Sequence, residues 1–235
     1  MMKMNSTTDN PVTIWQIDTI NDPSKLTVYF DLLSAEEATR AKKMRVESSR
    51  NSYITSHAVM RLILKKYLRL PEPESKINIQ LQNHGKPYIN HTQPVYFNLS
   101  HTKDIALFGI STKNSVGIDI EYIKPGRDIV NIAKRFFHPD EFKWLTQVDT
   151  QKQVNNFYQL WCYKEACLKG IGSGLQGDLS SFAISPNELQ TGGNIMIQNS
   201  NWHFQPITTF DNYKAAVSHE HNSFQQKLIQ WQHNL

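Results

Sequence analysis

The octapeptide VGIDIEYI, residues 116–123, limits what this chain can fold into more sharply than any other stretch. A β-strand sends successive side chains to opposite faces. Val116, Ile118, Ile120 and Tyr122 therefore form one unbroken apolar set, while Asp119 and Glu121 share the other face about 7 Å apart. The apolar register demands a core on one side. The acidic register is either an ordinary solvated face or half of a cation site.

A second segment bears on that choice. FYQLWCYKEACLKG, residues 157–170, reads as a helix with Gly170 expected at its C-cap. Trp161, Glu165 and Lys169 recur every four residues and so line one face. On an exposed helix, Glu165 and Lys169 would form a surface ion pair worth about 0.3–0.5 kcal/mol. A large Trp on the same face argues against full exposure. Laid beside the strand, this helix would bring three carboxylates and an ammonium together, a grouping suited to a metal-bound pyrophosphate and its leaving group.

The rest of the chain reads as α+β. Strands are expected over 12–17 and 26–32. Ser34 and Glu37 form a capping box that opens a short helix over 35–44. A longer helix over 49–70 carries Tyr53, Ile54, Val59, Met60, Ile63, Leu64 and Tyr67 at helical spacing until Pro71 and Pro73 stop it. Strands follow at 77–81, 95–99 and 105–110. Residues 128–137 are amphipathic, and Pro139 separates them from a further short helix. Four more strands are expected at 181–184, 194–198, 202–207 and 213–218. GIGSGLQG, residues 170–177, is glycine-rich like a phosphate loop, but it lacks the GK[ST] ending and follows a helix; it reads as a flexible connection.

The 235 residues admit one large domain or two small ones. Apolar runs are strand-sized, and the polar start MMKMNSTTDNP lacks a signal-peptide core, so no membrane association and a cytoplasmic location are expected. Cys162 and Cys167, five apart on one helix, suit neither a disulfide nor a CxxC site, and none of the nine histidines pairs with them at zinc-finger spacing. The net charge of +4 is lopsided: residues 38–70 hold nine basic side chains against Glu47 alone, a net +8 that leaves −4 elsewhere. Such a field attracts polyanions. Nucleic acid is the generic candidate, yet no recognition motif for it accompanies the charge.

GIDIE followed by W-x-x-KE-x-x-x-K at residues 161–169, with IAKRFFHPDEFKWL between them and HGKPY and FNLSH upstream, resembles the 4'-phosphopantetheinyl transferases. The likeness is to the larger single-chain type that activates peptide and polyketide synthetases, and it runs from about residue 34 to about residue 175. It implies two similar α/β subdomains related by a pseudo-twofold axis, with the active site in the cleft between them. The N-terminal half would be residues 1–112 and the C-terminal half 113–235. It also implies a monomer that moves 4'-phosphopantetheine from coenzyme A to a serine of an acyl or peptidyl carrier protein, with Mg2+, releasing 3',5'-ADP.

Carried over residue by residue, the resemblance makes Asp119, Glu121 and Glu165 the magnesium ligands. Glu165 is also the base, directly or through water, and Lys169 assists the leaving phosphate, with Lys164 a lesser helper. Lys86 and Pro87 would lie beside the adenine, Ser100 and His101 at the 3'-phosphate, and Arg40 and His57 at phosphates. An arginine is more usual at the His57 position, and a neutral imidazole grips phosphate less firmly, which leaves Arg61 as a substitute. The basic patch of Arg40, Lys42, Lys43 and Arg45 would meet the acidic helix of the carrier. Two other classes stay open: a nucleic-acid-binding protein, which has no need of Asp119 or Glu121, and a coenzyme A or carrier-binding module, which binds without turnover.

Overall fold

The structure is a computed structural model that describes residues 11–71, 73–173, 178–208, 211–220 and 224–233. The chain begins with β1 (Pro11–Asp18), α1 (Pro23–Asp31), α2 (Ala35–Lys43) and α3 (Glu47–Leu68). Two very short strands, β2 (Gln80–Leu81) and β3 (Pro87–Tyr88), precede β4 (Tyr96–Thr102) and β5 (Ile105–Ser111). Then come β6 (Val116–Tyr122), α4 (Ile129–Phe136), α5 (Pro139–Leu145), α6 (Thr150–Ile171) and α7 (Glu188–Thr191). The last strands are β7 (Gly193–Ile197), β8 (Ser200–Pro206), β9 (Tyr213–Glu220) and β10 (Gln225–Gln230).

Two four-stranded sheets result, in the orders β10-β1-β5-β4 and β6-β9-β8-β7. Each carries one 22-residue helix, α3 on the first and α6 on the second, so the fold is two α/β subdomains. Between the sheets lies a third apolar cluster made by Val12, Ile14, Ile105 and Leu107 from the first and Val116, Ile118, Ile120, Ala215 and Val217 from the second. This is the apolar register of VGIDIEYI, buried as its alternation requires. β4 and β6 are not joined as a ladder. Instead, Asn98 Oδ1 and Ser100 Oγ of β4 accept the N–H groups of Ile118 and Ile120 at 3.0 and 3.4 Å.

Helix α6 crosses β6 at close range because both partners lack a Cβ at the contact. A side chain at Gly117 would strike the carbonyl of Ala166 and the backbone of Gly170, and one at Gly170 would strike Trp202 and Ser218. Gly170 is thus a packing residue inside the last turn. The C-cap expected there is supplied by Gly172, whose φ of +82° gives the left-handed ending. Of the Gly-rich segment that follows, residues 174–177 lie outside the described residues.

Other expectations are corrected by local chemistry. Residues 26–31 fall in α1, with Leu32 as its C-cap, and not in a strand: Asp22 accepts from Ser24 and Lys25 N–H groups, and Pro23 opens the helix. The capping box at Ser34 and Glu37 forms as expected. The strand expected over 77–81 shrinks to Gln80–Leu81, since the Arg61 guanidinium takes the carbonyls of Glu74 and Ile77. Residues 181–184 form no strand either, and a 3-10 turn ends at Ser181. The polar strand β10 was not expected; it joins β1 in parallel, returning the chain to the first sheet.

The missing strand at 181–184 traces to a buried ion pair. Lys164 and Glu141, both fully buried, meet at 2.9 Å. Lys164 also donates to the carbonyls of Leu179 (2.7 Å) and Phe182 (2.5 Å), while Glu141 accepts the N–H groups of Ile184 and His138. Burial pushes the Glu141 carboxyl up and the Lys164 ammonium down, and their mutual attraction opposes both shifts. Lys164→Ala leaves the Glu141 charge stranded and is expected to cost about 3–5 kcal/mol in urea unfolding. Lys164→Met with Glu141→Gln removes both charges and regains part of that loss. A loss below about 1 kcal/mol for the single variant would contradict the strut.

Candidate active site

The crossing of α6 over β6 sets the Lys169 ammonium 2.5 Å from Asp119 Oδ1 and 3.1 Å from Ser100 Oγ. Ser100 donates its own proton to the same Asp119 oxygen at 3.0 Å. Burial works against the Lys169 charge, but Asp119 and Glu165 outweigh it and hold its pKa above the ordinary lysine value. The other carboxylate oxygen, Asp119 Oδ2, is buried and has no hydrogen-bond partner among the described residues.

The remaining acids feel this centre. Burial, then the Asp119 charge, push the Glu121 carboxyl up to about 7 against the pull of Arg127, Lys169 and Lys124. Burial and Asp119 likewise raise Glu165, with Lys169 opposing. The expected convergence is therefore partial. Asp119 acts electrostatically on both glutamates, but among the described residues no three His, Cys, Asp or Glu side chains are gathered as a metal-holding group. An orphaned buried carboxylate oxygen and two acids in surroundings that disfavour their charge nevertheless form an all-oxygen donor set of the kind a hard divalent cation prefers.

Beside this centre opens a cavity of about 630 Å³ between α2, α3, the β2–β3 turn and β4. Of the residues singled out in the sequence, Arg40, His57, Lys86, Pro87, His101 and Lys169 all line it. His57 stacks on Tyr53 (ring centroids 3.8 Å apart) with Nδ1 3.0 Å from the Tyr53 carbonyl. Burial chiefly, with the Arg40 and His101 charges, lowers its pKa to about 4 despite the attraction of Glu37. His57 is a neutral imidazole at pH 7. The His101 pKa is also lowered, by burial and by Lys169 and Arg40. The Lys86 ammonium donates to Gly170 O and Ser115 Oγ, and burial lowers its pKa to about 8.

Three expected residues are engaged by other partners. Lys164 is spent on Glu141 and two carbonyls and takes no part in the cavity lining. Arg61 touches the cavity, but its guanidinium is committed to Glu37 at 2.6 Å and to two carbonyls, so it does not replace the arginine missing at position 57. Ser100 is engaged with Asp119 and Lys169 and does not itself line the cavity. Sequence reasoning assigned Tyr53 to the core of its helix, although it also lines the cavity, with Arg40 5.4 Å above its ring. It passed over Arg127 altogether, for which no local signal exists.

Comparison with known proteins identifies the family. The family model described as "4'-phosphopantetheinyl transferase, N-terminal" matches residues 21–112, and that of the 4'-phosphopantetheinyl transferase superfamily matches residues 115–218. The chain is 29% identical to 4'-phosphopantetheinyl transferase HetI of a Nostoc species over 88% of its own length and 86% of that protein. It is 37% identical to a 4'-phosphopantetheinyl transferase of Bacillus subtilis over 63% of its own length and 65% of the relative, just under two thirds. With 4'-phosphopantetheinyl transferase Sfp of Bacillus subtilis strain 168, identity is 28% over 85% of this chain and 88% of that one. The two family models meet between β5 and β6, one ending where the other begins, and the chain belongs to the 4'-phosphopantetheinyl transferase superfamily, in its larger, Sfp-like form.

Proposed function

We propose that the protein moves the 4'-phosphopantetheine arm of coenzyme A onto a serine hydroxyl of an acyl or peptidyl carrier domain, releasing 3',5'-ADP. The observation that carries this reading is a cavity with basic and imidazole side chains on its wall that reaches the Lys169–Asp119 pair. The nucleotide end of coenzyme A fits there, with Arg40, His57 and His101 toward its phosphates. The ammonium of Lys86 is occupied, which leaves its stem and Pro87 for the adenine.

In the reaction the serine oxygen attacks the β-phosphorus. A new P–O bond forms as the bond to the bridging oxygen breaks, and the electron pair leaves with the adenosine bisphosphate. Glu165 takes the serine proton; a carboxyl raised by burial and by Asp119 is a better acceptor than an exposed one. Lys169 meets the charge growing on the departing phosphate. Asp119, Glu121 and Glu165 would hold magnesium, which when bound neutralises pyrophosphate charge. The exposed Arg40, Lys42, Lys43 and Arg45 offer a carrier's acidic helix a steering field. Cys162 and Cys167 are buried free thiols, in keeping with a cytoplasmic location.

Intact-mass measurement of an apo carrier incubated with the protein, coenzyme A and magnesium should show one added phosphopantetheine, and a chelator should abolish it. Asp119→Asn and Lys169→Ala should each lower kcat about 100-fold or more while melting as folded proteins; near-full turnover in either removes that residue's role. His57→Arg puts a permanent charge where a neutral ring now sits and should lower the KM for coenzyme A several-fold, on the order of one charge-assisted contact. An unchanged KM would place the phosphates elsewhere.

A further inference from the structure

Arg127 lies in the loop after β6, where Gly126 adopts a φ of +72° that favours glycine. Its guanidinium stands 5.7 Å from the ring centroid of Trp161 and 5.9 Å from that of Tyr158. The platform is itself fixed: the Tyr158 hydroxyl accepts the Lys124 N–H at 3.0 Å, and Trp161 packs against Phe136, Phe137 and Phe157. Half-buried and held in place, the guanidinium still makes no hydrogen bond or salt bridge among the described residues.

Its surroundings are short of available acid. Asp128 caps α4, and Asp104 accepts the Tyr213 hydroxyl. Glu121 feels the Arg127 charge but belongs to the carboxylate centre. Two more cations stand at the same end of β6: exposed Lys124, and Lys103 with its ammonium 3.2 Å from the Tyr122 ring centroid. None of the three lines the nucleotide cavity.

We infer that Arg127, aided by Lys103 and Lys124, receives a carboxylate of the protein substrate close to the acceptor serine and so selects among carriers. This rests on the transferase reading. The phosphates of coenzyme A have their own cations in the cavity and at Lys169, and the pantetheine arm beyond the pyrophosphate carries no charge. An anion arriving on the Arg127 side therefore comes with the protein. A guanidinium held over aromatic rings, with no hydrogen bond of its own among the described residues, keeps its N–H groups for two-pronged binding of a carboxylate, which an ammonium cannot match.

The test is steady-state kinetics of the full chain with an apo carrier domain, for wild type, Arg127→Gln and Arg127→Lys, with melting curves for each. Arg127→Gln should raise the KM for carrier about tenfold, leave that for coenzyme A within about twofold, and lower kcat far less. The lysine variant should fall between, and carries the comparison if the glutamine variant fails to fold. Arg127→Glu should regain activity on a carrier whose acid beside the serine is changed to lysine. A rise confined to the KM for coenzyme A would show that Arg127 serves a phosphate, and unchanged KM values for both substrates would reduce it to packing; either overturns the inference. A wild type that modifies no carrier would overturn the transferase reading, and this inference with it.

Discussion

The close passage of α6 over β6 is the constraint on which the site depends. Gly117 and Gly170 let the two backbones approach, and polar side chains then satisfy the carbonyls this leaves near the end of the helix. Ser218 donates to Ala166 O at 2.8 Å, and Ser115 and Lys86 donate to Gly170 O. Lys169 is the neighbour of Gly170 in sequence, so the approach that seats the glycine also delivers the ammonium to Asp119. A larger residue at either glycine would lift the helix and separate the pair before any site residue had changed.

The seam between the two sheets has the same economy of parts. Ser100 accepts the backbone N–H of Ile120, donates to Asp119 and accepts from Lys169, so one hydroxyl closes the gap between β4 and β6 and orients the ion pair. A serine in the middle of a strand carries no signal of such a triple role. What was legible were features whose partners lie within a few residues: the alternation that pairs Asp119 with Glu121, the capping box at Ser34, and the four-residue spacing of Glu165 and Lys169. That strand and helix meet was a long-range fact, decided by two glycines whose local reading points elsewhere.

The failures follow the same division. Gly170 reads locally as a helix stop, although the left-handed residue is Gly172. Lys164 sits beside Glu165 in sequence, yet adjacent helical residues point about 100° apart, so one faces the core while the other faces the site. Leu26, Val28 and Phe30 imitate a strand over a few residues, and the Asp22–Pro23 start that overrides them was the stronger signal. In β10, QQKLIQ has no burial pattern to find; the strand exists because β1 offers an edge.

What separates a structural cation from a functional one here is the company it keeps. Lys164 and Arg61, both buried, each meet a carboxylate and two carbonyls, and Lys86 meets a carbonyl and a hydroxyl; these bonds tie neighbouring segments together. Lys169 also has a carboxylate partner, but its side chain keeps 31% exposure and borders the cavity. The same test discounts the basic segment over residues 38–70. Arg61 points inward, and Lys65 is paired with Glu74 at 3.0 Å, while Arg40, Lys42, Lys43 and Arg45 stay exposed. Of the six exposed cations of that segment, four therefore cluster around the end of α2, next to the cavity mouth, while Lys66 and Arg69 stand at the far end of α3.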